Sequence, residues 1–208
     1  PVSNIDPPAR EIARDRVYSD AEIVALWAAF KSVRNGLRGV LELILLTGQR
    51  PGEVFGMRWS ELDGARWLLP PERTKNRRPH VVPLSRQARA IIDGLRGNDE
   101  FVFPANRNAT HTTISSTDAR KVREESGVSD FRAHDLRRTA LTNMGKIGVS
   151  RFIQNRIANH ADSTMGGVYD RHEYFDEKAL ALNRWADRLD QIRTGKKAKV
   201  VKLGRAAK

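Results

Sequence analysis

Residues 37–46 read LRGVLELILL, and wound into a helix they leave almost no polar face. Such a helix cannot lie on a surface and has to be wrapped by other elements. Neither it nor any other apolar run approaches the ~18 residues that a membrane span needs. The chain must therefore fold around this helix as a core. Its 208 residues suffice for one large domain, or for one domain plus a tail, without covalent staples. It has no cysteine, which excludes disulfides, thiolate zinc sites and cysteine nucleophiles together.

The elements that wrap this helix can be read from local signals. Ser19 and Glu22 form an S-x-x-E capping box, and Ile23, Leu26, Trp27 and Phe30 follow on one helical face. The core helix stops at Thr47-Gly48, where glycine suits a C-cap. A short helix follows at Glu53–Met57. Arg66–Leu69 and His80–Leu84 read as strands around the polar, turn-prone segment ERTKNRRP. Further helices are predicted at Arg86–Leu95, Thr113–Glu125, Leu136–Ile147, Arg151–Asn159 and Asp176–Ile192. In the last, Leu182, Trp185, Leu189 and Ile192 make an apolar seam suited to a groove or a partner. The expected fold is α+β and mainly α-helical, with a small antiparallel sheet and no internal repeats.

Charge narrows the function. Lys and Arg number 37 against 25 Asp and Glu, a formal +12. The tail Gly195–Lys208 carries six of those cations and no acid, so the body retains +6. A polyanion is the natural partner, and nucleic acid the commonest one. Pro1–Arg16 reads as a linker, residues 17–194 as the folded domain and residues 195–208 as a basic disordered tail. PVSNIDPPAR lacks the apolar core of a signal peptide, and with no initiator Met the chain is expected to be part of something longer.

Several residues could carry chemistry. Arg50, in Thr47-Gly48-Gln49-Arg50-Pro51-Gly52-Glu53, leaves a glycine turn that could aim its guanidinium fork at a phosphate, with Glu53 orienting it or capping the next helix. The same pattern suits a solvated or structural ion pair. His134 and Arg137 are three apart and share a helix face near its N-terminus, an anion-friendly arrangement in which Asp135 could be the cap. An amphipathic helix whose polar face holds a histidine would look the same. Farther on come His160 and Tyr169, with Tyr174 close by. A phenol has a pKa of about 10 and is a poor nucleophile at neutral pH unless cations favour the phenolate.

The ordered series is T-G-x-R-x-x-E at 47–53, Lys75 in TK-x-x-R-x-x-x-V-P-L, H-x-x-R at 134–137, then His160 and Tyr169. With the phrases LLTGQRPGEVFGMRW, AHDLRRTALTNM and VYDRHEY, it resembles the catalytic domain of tyrosine recombinases, the phage integrase family, in its prophage and genomic-island form. The likeness runs from Ser19 to Leu189. It implies a tyrosine recombinase catalytic core that recombines DNA site-specifically. Arg50 and Arg137 would clamp the scissile phosphate and Lys75 would protonate the departing 5′ oxygen. His134 would accept a proton or bond the phosphate, and His160 would contact it. Tyr169 would form a 3′-phosphotyrosyl bond. Arg73, Arg77, Arg78 and Arg138 would contact the DNA. No metal or other cofactor is implied. The partner would be double-stranded DNA, bound as a homotetramer, with the isolated domain a monomer. The location would be the bacterial cytoplasm, at the nucleoid when on DNA, with no membrane association.

This sequence departs from the family in having Asn159, not glycine, before the second histidine; asparagine also tolerates left-handed backbone. The N-terminal DNA-binding domains usual in such integrases have no counterpart in these 208 residues. The main rival reading is a non-catalytic regulator, since KIGVSRFIQNRIAN (146–159) resembles helix-turn-helix. A metal-dependent nuclease is a second rival, but the candidate site lacks clustered acids and the five histidines lack zinc-ligand spacing. Nucleophile-elbow, P-loop and dinucleotide motifs are absent.

Overall fold

The computed structural model describes residues 14–95, 99–105, 111–160 and 173–196. Helix α1 (Asp20–Ala29) starts on its capping box, with the Ser19 hydroxyl oxygen accepting from the Glu22 amide and the Glu22 carboxylate accepting from the Ser19 amide. Helix α2 (Asn35–Thr47) is the core helix, and Leu37, Val40, Leu41, Leu43, Ile44 and Leu45 are all fully buried. Removing each such side chain from water is worth about 1.5–3 kcal/mol, so α2 dominates the stability of its neighbours. Even its one acid, Glu42, is buried, with Arg38 one turn earlier donating to it at 2.8 Å.

The helix ends where Gly48 adopts φ +65°, and a short helix, α3 (Pro51–Phe55), follows. Next comes an antiparallel sheet in the order β1 (Leu62–Asp63), β2 (Arg66–Leu69), β3 (His80–Pro83). Two strands were predicted and the third is new. Asp63-Gly64, read as a flank, is part of a hairpin in which Gly64 (φ +54°) opens a two-residue turn. Trp67, Leu69, Val82 and His80 are buried, while Arg66 and Leu68 are exposed, as a half-covered sheet requires.

The remaining helices are α4 (Arg86–Asp93), α5 (Ser116–Ser126), α6 (Ala133–Lys146), α7 (Arg151–Ile157) and α8 (Phe175–Thr194). Each falls where a helix is predicted; α4 and α7 start at the expected residue, and the other ends are displaced by one to three residues. The start of α5 moves because Ser115 and Asp118 form its capping box. Asp135 does not cap α6 as expected: Arg132 occupies that position without a side-chain bond, and the buried Asp135 carboxylate accepts from Arg14 at 2.8 Å and Arg138 at 2.5 Å. Arg14 thereby ties the end of the predicted linker to the domain.

Helix α8 uses its seam inside the domain. Leu182, Trp185 and Leu189 are buried, and the Trp185 indole N–H donates to the Leu45 carbonyl of α2 at 2.7 Å. The same helix guards the sheet edge, where Lys178 Nζ donates to the Val81 carbonyl at 2.6 Å. Trp185→Phe leaves the Leu45 carbonyl unpaired and opens a void, and should destabilise the domain by about 2 kcal/mol. Urea denaturation should show a lower midpoint at unchanged slope.

Candidate active site

Three chain segments converge on Arg137. Its buried guanidinium donates through Nη1 to the Gly48 carbonyl at 2.8 Å and through Nη2 to the Ala158 carbonyl at 2.8 Å. Gly48 is the left-handed residue that ends α2, and Ala158 is the C-cap of α7. The glycine turn also brings out Arg50. That guanidinium donates from Nη1 to Glu53 Oε1 at 3.0 Å, and the Arg50 amide donates to Glu53 Oε2 at 3.1 Å. Glu53 thus does both jobs proposed for it, orienting the fork and capping α3.

His134 lies on the first turn of α6, one turn before Arg137, and His160 follows α7. Both line a cleft of about 350 Å³ together with Arg137, Arg138 and Arg151. Arg137 Nη2 stands 3.4 Å from His160 Nε2. A guanidinium can only donate, so that histidine nitrogen is the acceptor. The pKa of His160 is lowered, first by desolvation and then by Arg137, Arg50 and Arg151. That of His134 is lowered by desolvation, then by Arg137 and Arg138, against an upward pull from Asp135. Arg137 is drawn down to about 10 by burial and by Arg50, opposed by Glu53, and remains charged at neutral pH. The result is a cationic cleft whose histidines are held neutral.

Lys75 is exposed in the β2–β3 loop. That loop reaches the same site, because Asn76 Nδ2 donates to the Asn159 carbonyl at 3.0 Å, beside His160. Asn159 has φ +48°, the left-handed geometry foreseen for it. Arg77 and Arg78 are exposed on the same tip. Arg73 is placed differently from its expected DNA-facing role. Its guanidinium donates to Glu61 at 2.5 and 2.7 Å and to the Glu53 carbonyl at 2.7 Å, so a buried carboxylate already satisfies it. Arg138 lines the cleft but is paired with Asp135. Tyr169 lies outside the described residues.

Four residues of this neighbourhood were not singled out from the sequence. Arg151 opens α7 and faces the cleft. Asn76 carries the contact to Asn159. Gln49, inside the arginine motif, donates from Nε2 to the Ile157 carbonyl at 2.9 Å. His80 bonds the same carbonyl through Nε2 at 3.1 Å, a signal hidden inside an ordinary strand. The carbonyls at the end of α7 are therefore the anchor for Gln49, His80 and Arg137. That use disfavours the helix-turn-helix reading of 146–159, for α7 is seven residues long and its Gln154 and Ile157 are buried. Among the described residues, no group of three or more His, Cys, Asp or Glu is arranged to hold a metal ion, and no helix is long and apolar enough to cross a membrane.

Comparison with known proteins places this geometry in context. Residues 16–175 match the family described as the phage integrase family. The chain is 30% identical over 149 residues to prophage integrase IntA of Escherichia coli K12, covering 69% of this chain and 36% of that protein. It is 29% identical over 206 residues to prophage integrase IntZ of the same organism, covering 94% and 50%. The chain thus spans about a third to a half of the length of these relatives. Its fold is similar to that of a lambda integrase tetramer bound to a Holliday junction, with a TM-score of 0.58 and 19% identity over 80% of this chain and 52% of that one.

The buried histidine gives the domain a pH-dependent stability. Desolvation, with Lys178 next and Arg137 and Arg50 adding, lowers His80 from 6.5 to about 3, against the upward pull of its bond to Ile157. The unfolded chain therefore binds a proton that the folded one refuses. Stability from this group is complete above pH 6.5 and is lost as the pH falls toward 3. Between pH 6 and 4 the unfolding free energy should drop about 1 kcal/mol per pH unit more steeply than in His80→Asn. Urea titrations across that range measure the difference.

Proposed function

The chain belongs to the phage integrase family, and from that premise we propose that it recombines DNA at specific sites by cleaving and rejoining strands through a 3′-phosphotyrosyl intermediate. The observation that carries this reading is the closeness of Arg50 to Arg137, near enough for its charge to act on Arg137, beside the cleft that Arg137, His134 and His160 line. Arg137 is held by neutral carbonyls, so its charge is not quenched, and Glu53 is the carboxylate partner of Arg50. A phosphodiester would supply the missing negative charge.

In this reading each group has one role. The two guanidinium forks bind the non-bridging oxygens and stabilise the charge that builds on them in the transition state. The Tyr169 oxygen attacks phosphorus and its proton passes to His134, whose lowered pKa leaves it neutral and able to accept. The bond to the 5′ oxygen breaks, and Lys75 donates the proton that the oxygen needs. His160 contacts the phosphate. A 5′-hydroxyl from a second duplex then attacks the phosphotyrosine and reverses the sequence, so the phosphodiester energy is conserved. Fixed cations do the work that Mg²⁺ does in many phosphoryl-transfer enzymes.

Arg77 and Arg78, exposed beside Lys75, are the proposed backbone contacts of the loop, and Arg138 is a further one at the cleft. Assembly as a tetramer on double-stranded DNA is proposed by extension from the lambda integrase tetramer bound to a Holliday junction. The catalytic unit would run over residues 17–194, preceded by a linker and followed by the basic tail, and would act on DNA at the bacterial nucleoid.

The test is a pool of nicked duplexes with a randomised core, mixed with the protein and run on a denaturing gel. A DNA-linked band should form, persist in EDTA, disappear in Tyr169→Phe and survive in Tyr174→Phe. Arg50→Lys keeps the charge but loses the fork, and should slow adduct formation roughly 100-fold or more. DNA binding without any covalent band would establish the regulator instead.

A further inference from the structure

Two asparagines, one in the β2–β3 loop and one at the end of α7, face each other across 83 residues of chain. Asn76 Nδ2 donates to the Asn159 backbone carbonyl at 3.0 Å and to Asn159 Oδ1 at 3.0 Å. Asn159 Nδ2 donates back to Asn76 Oδ1 at 3.3 Å. The pairing is reciprocal and uses the full amide of both side chains.

The rest of the loop tip is bonded mainly to itself. The Thr74 hydroxyl donates to the Pro71 and Arg78 carbonyls, and the Arg77 amide donates to the Thr74 carbonyl. Among the described residues, the hydrogen bonds joining the tip 74–79 to another element are those of Asn76. Lys75 immediately precedes one latch residue, and His160 immediately follows the other.

Asn159 serves two needs at once. Its φ of +48° turns the chain out of α7 toward His160. Glycine would take that backbone more easily, but it has no amide to pair with Asn76. Asparagine is among the few side-chain-bearing residues that tolerate this conformation, so one residue makes both the turn and the contact.

We propose that the paired amides of Asn76 and Asn159 latch the β2–β3 loop onto the His160 turn, so that Lys75 and His160 are presented to the cleft as one unit. Asn76 is then a positioning residue for the leaving-group acid, an inference that rests on the recombinase reading of Lys75. Free of the latch, a loop tip bonded to itself would sample many orientations, and Lys75 would be in reach of the 5′ oxygen for only part of the time.

The test compares two scissile linkages in a duplex selected from the randomised pool, one natural and one with sulfur in place of the 5′ bridging oxygen. An alkoxide needs a proton to leave, whereas a thiolate, whose thiol has a pKa of about 8–9, leaves without one. With the 208-residue chain, Asn76→Ala should cleave the oxygen duplex about tenfold more slowly and the sulfur duplex at the wild-type rate. Asn159→Gly should show a smaller defect, because the carbonyl at 159 still accepts from Asn76. Asn76→Ala that slows both substrates alike, or neither, overturns the proposal.

Two controls separate its failure from that of the underlying reading. A wild-type protein that forms no adduct with either duplex removes the recombinase function itself. Lys75→Ala that is not rescued by sulfur removes the role of Lys75. The latch also has a readout without DNA. Trypsin should nick the loop after Lys75 or Arg77 several-fold faster in Asn76→Ala than in wild type, at equal melting temperature, and an unchanged rate shows that no latch exists.

Discussion

The guanidinium of Arg137 is the constraint on which the site is built. A buried cation costs several kcal/mol in lost hydration unless its donors are satisfied. Here the carbonyls of Gly48 and Ala158 satisfy it, and they lie 89 and 21 residues away in the chain. Those bonds require the end of α2, the first turns of α6 and the end of α7 to meet at one point. Arg50 issues from the first of these segments, His134 from the second and His160 from the third. The cleft is the place where three backbone ends are pinned by one side chain.

The choice of neutral carbonyls matters as much as their positions. Arg73, less deeply enclosed, is held by the Glu61 carboxylate and contributes to architecture, joining the sheet to α3. Arg137 is oriented just as firmly without its charge being cancelled. Glu53 is the partner of Arg50, so the pair keeps a net positive charge for an anion. Burial first, and that same field second, hold the pKa values of His134 and His160 below the ordinary histidine value.

Much of this was legible in local signals. The Ser19–Glu22 box marks the start of α1, the apolar run of α2 demands burial, Gly48 ends it, and Arg66–Leu69 is a strand with the residues read for it. The resemblance to phage integrases holds over most of the chain. Weaker signals misled. A two-residue strand has no periodicity to detect, so β1 looked like the edge of a turn. Asp135 stands where a cap is common, yet its carboxylate is spent on Arg14, over a hundred residues away. The α8 seam fitted a partner or a groove equally well, and the α2 carbonyl at Leu45 is what it meets.

The sequence by itself determined which segments are helices, which helix is central, that the net charge suits a polyanion, and which residue types could bind a phosphate. Each of these depends on spacing, capping or charge within a short stretch of chain. Only the tertiary structure decided which arginine is quenched and which stays charged, which histidine is buried and which lines the cleft, and that Asn76 touches Asn159. Those outcomes depend on partners far apart in the chain. A guanidinium reads the same in sequence whether a carboxylate or a carbonyl waits for it, and packing alone selects between them.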